Sequence, residues 1–164
     1  IARILGLNSV AERYADIAKK MAMKWEEMAN EGDHYRLAFD RNNTWSQKYN
    51  IIWDKMWNLN IFPNNVISKE INYYLTKQNL YGLPLDSRRD YTKSDWIMWT
   101  AAMSPNREIF EKFVDPLYKY INETTSRVPI SDWHDTKTGR MTGFKARSVI
   151  GGYWIQVLMD KMNH

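Results

Sequence analysis

With 164 residues and no cysteine, the chain is long enough to fold as one domain around a real core, and it can form neither disulfides nor a thiolate nucleophile. Its 23 basic and 19 acidic residues are scattered along the sequence and leave a net charge of +4, which excludes the continuous basic surface of a nucleic-acid-binding protein. No apolar run approaches the roughly 20 residues that a membrane span requires. We therefore expect neither a nucleic-acid nor a membrane partner.

The first half of the chain shows helical periodicity in three segments. From Val10 to Met28, apolar residues recur at spacings of three and four, after a capping box formed by Ser9 and Glu12. Similar patterns follow twice, separated by a short connection that ends at Pro63. The predicted helices cover residues 10–30, 46–59 and 64–78.

Three further helices are predicted in the second half, at residues 93–103, 105–123 and 145–162. The first is apolar on all sides and should be buried, and Ser104 followed by Pro105 predicts the start of the second. Gly151 and Gly152 weaken the third helix but allow a neighbouring helix to approach closely. Turn-forming residues at 135–140 suggest the tip of a small hairpin. No segment shows the alternation of a β-strand, so the sequence predicts an all-α fold of antiparallel helical hairpins.

A charged loop between the third and fourth predicted helices runs directly into a buried segment. Gly82 and Pro84 give the loop a defined turn, and five charged residues follow: Asp86, Arg88, Arg89, Asp90 and Asp95. Loops held by a rigid scaffold often carry function. The alternative interpretation is an ordinary helix start, with Thr92 as the N-cap and Asp95 near the positive end of the helix dipole.

The connections between the predicted helices alternate between long and short. If successive helices are antiparallel neighbours, the three long loops lie at one end of the bundle and the two short turns at the other. The long loops cover residues 33–45, 79–91 and 125–144. At their shared end, Asp86 and Asp132 are the predicted catalytic carboxylates, and we expect both to face one concavity beside Arg88 or Arg147.

Three blocks of the sequence, at residues 44–63, 81–101 and 126–154, resemble the glutaminase A family of large secreted hydrolases. The resemblance implies a six-hairpin domain of the (α/α)6 toroid kind, and residues 1–164 would form a single helical-hairpin domain that is its C-terminal half. It also implies hydrolysis of glutamine to glutamate and ammonia, in an extracellular or periplasmic location. No family motif assigns catalytic residues, so the choice of site residues rests on their chemistry.

Because the chain has no cysteine and no Ser-x-x-Lys motif, the amidase chemistry that remains is a carboxylate acting as general base on water. Around Asp86 and Asp132, the predicted substrate-binding residues are Arg88, Asp95, Trp96, Trp133, His134 and Arg147. Arg88 would clamp the α-carboxylate of glutamine, and a loop aspartate would accept its ammonium group. Asp132, His134 and Asp135 suggest a compact acidic turn rather than a metal site, and no cofactor is expected.

Two other functions fit the same residues. A glycoside hydrolase would place two carboxylates across a sugar, with Trp96 or Trp133 as a stacking platform. A non-catalytic carbohydrate-binding or scaffolding module would use the aromatic residues alone. The expected partners are a small substrate, glutamine or a glycan, and the remaining domains of the same polypeptide. An isolated chain of this length should be inactive and should self-associate through the apolar faces that the other hairpins would cover.

Overall fold

The computed structural model describes residues 1–162 and contains six α-helices, two 3-10 helices and one small antiparallel sheet. The helices are α1 (Asn8–Ala29), α2 (Ile52–Met56), α3 (Asn64–Leu75), α4 (Ser94–Ala102), α5 (Arg107–Glu123) and α6 (Ile155–Met162). The 3-10 helices precede α2 (Tyr49–Ile51) and α6 (Ser148–Trp154), and the strands are β1 (Tyr91–Lys93), β2 (Trp133–Asp135) and β3 (Met141–Gly143). No helix in this part of the chain is long and apolar enough to cross a membrane.

The sheet corrects the prediction of a fold built only from helices. β1 pairs with β2 and β2 with β3, both antiparallel, with Thr92 opposite His134. Each strand has three residues, which is too short for a strand periodicity to be visible in the sequence. The predicted hairpin tip between β2 and β3 is confirmed, and the Gly139 amide closes it by donating to Asp135 O at 2.9 Å.

Two helices are much shorter than predicted. The segment at residues 46–59 is α-helical only over α2, and the chain turns after it through left-handed backbone at Asn58 and Asn60, with φ of 49° and 55°. The Asp54 carboxylate fixes this turn by accepting a hydrogen bond from the Phe62 amide at 2.9 Å. Likewise α6 is preceded by a 3-10 helix that contains the two adjacent glycines, since glycine weakens an α-helix.

Two predicted N-caps are wrong, and so is the alternative N-cap at Thr92. No side chain caps α1, although the capping-box pattern lies at its start. α5 begins later than Ser104 suggests, and Asn106 caps it by accepting a hydrogen bond from the Ile109 amide at 3.0 Å. Thr92 lies in β1, where its buried hydroxyl accepts a hydrogen bond from Gln47 Nε2 at 3.3 Å. A tertiary partner thus overrides a local cap signal at Thr92.

The three long loops meet at one end of the bundle, as the alternation of connections predicts. The Ser87 amide donates to Trp45 O at 3.0 Å, which joins the first loop to the second. The Tyr81 amide donates to Thr136 O at 2.8 Å, and together with the β1–β2 pairing this joins the second loop to the third. The buried amide of Gln47 adds hydrogen bonds to two carbonyls of the second loop.

One of the two short turns, the turn after α4, is bonded to α2. In α2, Lys55 Nζ donates to Ala102 O at 2.9 Å and to Ser104 O at 3.2 Å. These bonds tie α2 to the turn after α4. The Phe62 ring of the other short turn packs on Trp25, which also contacts the first long loop, so the predicted separation of the short turns from the long loops is not confirmed.

The largest fully buried side chains of the core are aromatic, and the tyrosine hydroxyls among them are hydrogen-bonded. Its largest fully buried members are Tyr35, Tyr74, Phe113 and Tyr120. The Tyr120 hydroxyl donates to Ser131 O at 2.8 Å, and the Tyr35 hydroxyl donates to Glu26 Oε1 at 2.7 Å. Because large rings bury much apolar area once their hydroxyls are satisfied, these aromatic residues serve packing.

One face of α1 is uncovered. Four apolar residues of its predicted stripe are between 38% and 67% exposed: Val10, Tyr14, Ile17 and Met21. Ala22 and Ala29 are the buried residues of this helix. An apolar surface of this kind favours association.

We expect the chain to self-associate through this face of α1. Replacing Tyr14 and Met21 together by Gln should shift the protein toward monomer, because both side chains contribute exposed apolar area. Sedimentation equilibrium at high protein concentration measures the shift. The matched control replaces Glu12 and Lys19, exposed polar residues of the same helix, by Gln. A monomeric parent chain, or equal shifts in both double variants, would contradict the prediction.

Candidate active site

The site is built where β1 runs directly into α4. Lys93 is the last residue of β1 and Ser94 is the first of α4, so no linking residue separates strand from helix. Pairing of β1 with β2 sets Lys93 opposite Trp133, and the Ser94 amide donates to Asp132 O at 2.8 Å. These contacts bring the start of α4 and the third long loop into one corner of the molecule.

Asp132 is fully buried and holds two cations in this corner. Its Oδ1 accepts from Arg147 Nε at 3.1 Å and its Oδ2 accepts from Arg147 Nη2 at 2.7 Å. Lys93 Nζ bonds the same Oδ2. Burial acts to raise the pKa of Asp132, but the hydrogen bonds from Arg147 and Lys93 outweigh it and hold that pKa below its ordinary value. Asp132 is therefore a fixed anion. Because both of its oxygens already accept hydrogen bonds, it is better suited to position Lys93 and Arg147 than to transfer a proton.

Asp95 has the opposite environment. It lies in the first turn of α4 with 3% of its surface exposed, and its Oδ1 has no hydrogen-bond partner among residues 1–162. Burial raises the pKa of Asp95 to about 6, because the charged form loses its hydration. A carboxyl group with such a pKa can take up and release a proton near neutral pH, as a general acid or base must.

Aromatic rings line the corner. The Tyr49 and Trp96 rings stack with their centroids 4.1 Å apart. The centroid of the Phe144 ring lies 4.7 Å from Lys93 Nζ and 4.2 Å from Arg147 Cζ, within the range of cation–π attraction. Apolar walls keep the local dielectric constant low, which strengthens the interactions between the charged groups.

Gly152 brings the 3-10 helix before α6 against the same corner. A Cβ atom at this position would lie 2.8 Å from Trp99 Nε1 and 3.2 Å from Asp95 Cβ. A Cβ atom on Gly151 would meet nothing within 4 Å. The close approach that the glycine pair predicts is therefore made by Gly152, and a cavity of about 210 Å³ with tryptophan walls adjoins it.

The other predicted catalytic carboxylate, Asp86, lies elsewhere on the loop end. Its Oδ1 accepts from the amide and from Nε of Arg88, at 2.8 and 3.0 Å, and its Oδ2 accepts from Arg88 Nη2 at 2.7 Å. Asp86 lines a cavity of about 290 Å³ whose wall does not include Asp132. The two carboxylates thus do not share this cavity, contrary to the expected single concavity, although each has an arginine beside it. Arg88, the predicted clamp for substrate, already binds a carboxylate of its own chain.

His134, a predicted substrate-binding residue, is fully buried behind the corner. Its ring stacks on Tyr120 with centroids 3.5 Å apart, and its Nε2 lies 2.8 Å from Tyr81 O. Because a carbonyl oxygen only accepts hydrogen bonds, Nε2 carries the proton. Burial lowers the pKa of His134 to about 4, so the ring is neutral at physiological pH. His134 is thus fixed in the wall of the corner by Tyr120 and Tyr81, and its role in substrate binding stays a prediction.

Except for Arg88 and His134, the predicted substrate-binding residues gather around Lys93 and Asp132. They are Asp95, Trp96, Trp133 and Arg147. Sequence reasoning missed Lys93, Tyr49 and Phe144. Lys93 had a usable signal, because a lysine at the start of an all-apolar helix requires a buried counter-ion. Tyr49 and Phe144 have none, since only long-range packing brings them to the corner.

These features describe a helical protein with a buried carboxyl group, Asp95, at the end where its long loops meet. The chain belongs to the family described as the glutaminase A six helical-hairpin domain, whose model matches residues 1–157. It is 32% identical over 156 residues to a protein named Glutaminase A from Aspergillus oryzae, an alignment that covers 91% of this chain and 22% of that protein. It is 26% identical over 193 residues to a protein named "Probable glutaminase" from Arthroderma benhamiae, covering 98% of this chain and 22% of that protein.

The chain spans about a fifth of the length of these curated relatives. No solved structure gives a significant match. The family membership confirms the resemblance seen in the three sequence blocks, and the helical hairpins of the structure fit the family's description.

Replacing Asp132 by Asn should destabilise the chain strongly. The change leaves Lys93 and Arg147 without their shared counter-ion, and removing one partner of a buried ion pair costs about 3–5 kcal/mol. Urea unfolding at pH 7 measures the loss. Asp90→Asn is the control, because its ion pair with Lys137 is about half exposed and contributes ~1 kcal/mol or less. Unchanged stability of Asp132→Asn would refute the role given to this residue.

The two glycines before α6 offer a matched pair of substitutions. Gly152→Ala should lower the unfolding temperature, because its new methyl group would press on Trp99 and Asp95, and overpacking costs about 1–3 kcal/mol. Gly151→Ala should leave stability unchanged or raise it, since its methyl group enters open space. Thermal unfolding followed by circular dichroism compares them. Equal unfolding temperatures would show that the contact at Gly152 is not tight.

Proposed function

We propose that this chain forms part of the active site of a glutaminase-like hydrolase, with Asp95 as its general base and acid. The observation that carries the proposal is the buried Asp95 carboxyl group, with a pKa of about 6 and an unpaired Oδ1 among the described residues. Membership of the glutaminase A family supplies the reaction class, and both curated relatives are named as glutaminases. The assignment of individual residues rests on their geometry and chemistry.

In the proposed reaction, ionised Asp95 removes a proton from a water molecule while the water oxygen attacks the side-chain amide carbon of glutamine. The tetrahedral intermediate carries a negative oxygen, which the ammonium group of Lys93 stabilises. Protonated Asp95 then gives its proton to the amide nitrogen as the carbon–nitrogen bond breaks. Glutamate and ammonia are released, and Asp95 is again ionised.

In this proposal Asp132 positions the charged groups of the site. It fixes Lys93 and Arg147 and takes no part in proton transfer, because its oxygens are occupied. Arg147 uses Nε and Nη2 on Asp132, and its side chain is 37% exposed. Its Nη1 group is therefore free to hold the α-carboxylate of glutamine. The stacked rings of Tyr49 and Trp96 would contact the methylene groups of the substrate.

The proposal also places the chain within a larger protein. The family description names six hairpins, and the six helices described here form three of them in a proposed (α/α)6 toroid. The rest of the polypeptide would complete the walls of the site, so the isolated chain should have little or no activity. An extracellular or periplasmic location is part of the same proposal.

The substitution Asp95→Asn in the full-length protein tests the assignment. Asparagine cannot accept the proton, so kcat for ammonia release from glutamine should fall by about 10²–10⁴-fold. Asp86→Asn is the control, because Asp86 is bound to Arg88 outside the corner; its rate should stay near that of the parent. A normal rate in Asp95→Asn would refute the mechanism. Turnover of a glycan by the parent, without turnover of glutamine, would favour a glycoside hydrolase instead.

The raised pKa of Asp95 predicts two opposite dependences on pH. Activity, as kcat/KM, should fall as the pH drops below about 6, because the base becomes protonated. Stability should fall as the pH rises from about 4 to 6, because the folded pKa of about 6 exceeds the ordinary 3.8 and the folded state binds the proton more tightly. Asp95→Asn should remove this second dependence and raise the free energy of unfolding at pH 7 by about 2–3 kcal/mol. Urea unfolding across this pH range measures it, and a destabilised Asp95→Asn variant would contradict the prediction.

A further inference from the structure

The loop end also holds a cavity that lies apart from Lys93, Asp95 and Asp132. We call it the loop cavity. Its volume is about 290 Å³. The charged side chains in its wall are Lys77, Asp86, Arg88, Arg89, Asp90 and Lys137. Four of these are cations and two are carboxylates, so the wall has a net charge of +2.

Both carboxylates of the loop cavity are already neutralised by a neighbour. Asp86 is 4% exposed and accepts two hydrogen bonds from the Arg88 guanidinium, at 3.0 and 2.7 Å. Asp90 pairs with Lys137 Nζ at 2.9 Å. Neither carboxylate therefore needs a further cation, and the positive charge of the other wall residues is uncompensated.

Lys77 and Arg89 provide that uncompensated charge. Arg89 is exposed, and within residues 1–162 the two acids of the cavity pair with Arg88 and Lys137 rather than with it. Lys77 Nζ lies 4.7 Å from the centroid of the Tyr73 ring. That contact leaves N–H groups of Lys77 available, because a cation–π contact uses one side of the ammonium group.

Asp33, a carboxylate outside the cavity wall that interacts with the charge of Lys77, is engaged elsewhere. The pKa of Asp33 is lowered first by its hydrogen bond with His34 and least by the charge of Lys77. Asp33 Oδ1 lies 2.7 Å from His34 Nδ1, and the Asp33 side chain is 77% exposed. Its attraction for Lys77 is therefore screened by water.

The backbone around the loop cavity is held in place from both sides. The Trp45 amide donates to Ser87 Oγ at 3.2 Å, and the Ser87 amide donates to Trp45 O at 3.0 Å. Trp45 is 7% exposed and forms part of the cavity wall. The first long loop is thus fastened to the second beneath the charged groups, so the cations are presented by a fixed scaffold.

We infer that the loop cavity binds a small dicarboxylate. Lys77 follows α3, whereas Arg89 lies in the second long loop, so the two free cations come from separate segments. This arrangement fits two separated carboxylates better than one compact anion, and arginine binds a carboxylate in bidentate fashion. The volume of about 290 Å³ lies at the small end of ligand cavities, which start at roughly 300 Å³, and suits an acid of four or five carbon atoms.

Calorimetric titration of the purified chain with glutarate at low ionic strength tests the inference. Glutarate should bind more tightly than phosphate or acetate, and its affinity should fall as salt is added. Lys77→Met and Arg89→Met should each weaken binding by about tenfold, the effect of one charge-assisted hydrogen bond. Lys112→Met is the control, because this exposed lysine of α5 pairs with Glu108 and lies outside the cavity wall; it should leave the affinity unchanged.

Three outcomes would overturn the inference. They are the absence of glutarate binding at low salt, equal affinities in the parent and in Lys77→Met and Arg89→Met, and tighter binding of phosphate than of glutarate. The measurement needs no turnover and uses none of the residues proposed for hydrolysis. If the protein hydrolyses glutamine but does not bind glutarate, only the inference about the loop cavity is refuted. If it binds glutarate but does not hydrolyse glutamine, only the proposed reaction is refuted.

Discussion

The ion pairs that Asp132 makes with Lys93 and Arg147 join three segments that are distant in sequence: the end of β1, the loop before β2 and the residue before the second 3-10 helix. Burying a carboxylate is unfavourable unless its oxygens are fully bonded, so this group is stable only when all three segments are in place. The backbone of the same residue also ties the start of α4 to the third long loop, because the Ser94 amide donates to the Asp132 carbonyl. One buried acid therefore fixes the geometry of the loop end.

Asp132 and Asp95 show how two nearby carboxyl groups acquire different chemistry. Hydrogen bonds from two cations keep the pKa of Asp132 low, whereas Asp95 is buried with an unpaired oxygen and the pKa of its carboxyl group rises to about 6. Pairs of carboxyl groups whose environments separate their pKa values are a common basis for acid–base catalysis. The first group contributes stability to the fold. Ionised Asp95 destabilises the fold, and such a loss of stability is common at functional sites.

The helices and the meeting of the loops could be predicted from sequence, because helical periodicity and connection length are local properties. The sheet could not, since each strand has three residues and exists only through pairing with distant residues. Arg88 was expected beside Asp86, and the sequence distance of two residues allows it to bond both carboxylate oxygens; the separate cavity of Asp86 follows from long-range packing, which the sequence does not show. Asp95 was placed correctly at a helix start, but its unpaired oxygen is a product of long-range packing.

The junction between β1 and α4 also relates the region around Asp95 to the loop cavity. Lys93 and Ser94 are consecutive, so no linking residue separates the strand from the helix. The β2–β3 hairpin is bonded along one side of β1 and extends to a turn that carries Lys137, a residue of the loop-cavity wall. The hairpin therefore contributes to both regions: Lys137 in its turn lines the loop cavity, and its first strand pairs with β1 immediately before the first turn of α4.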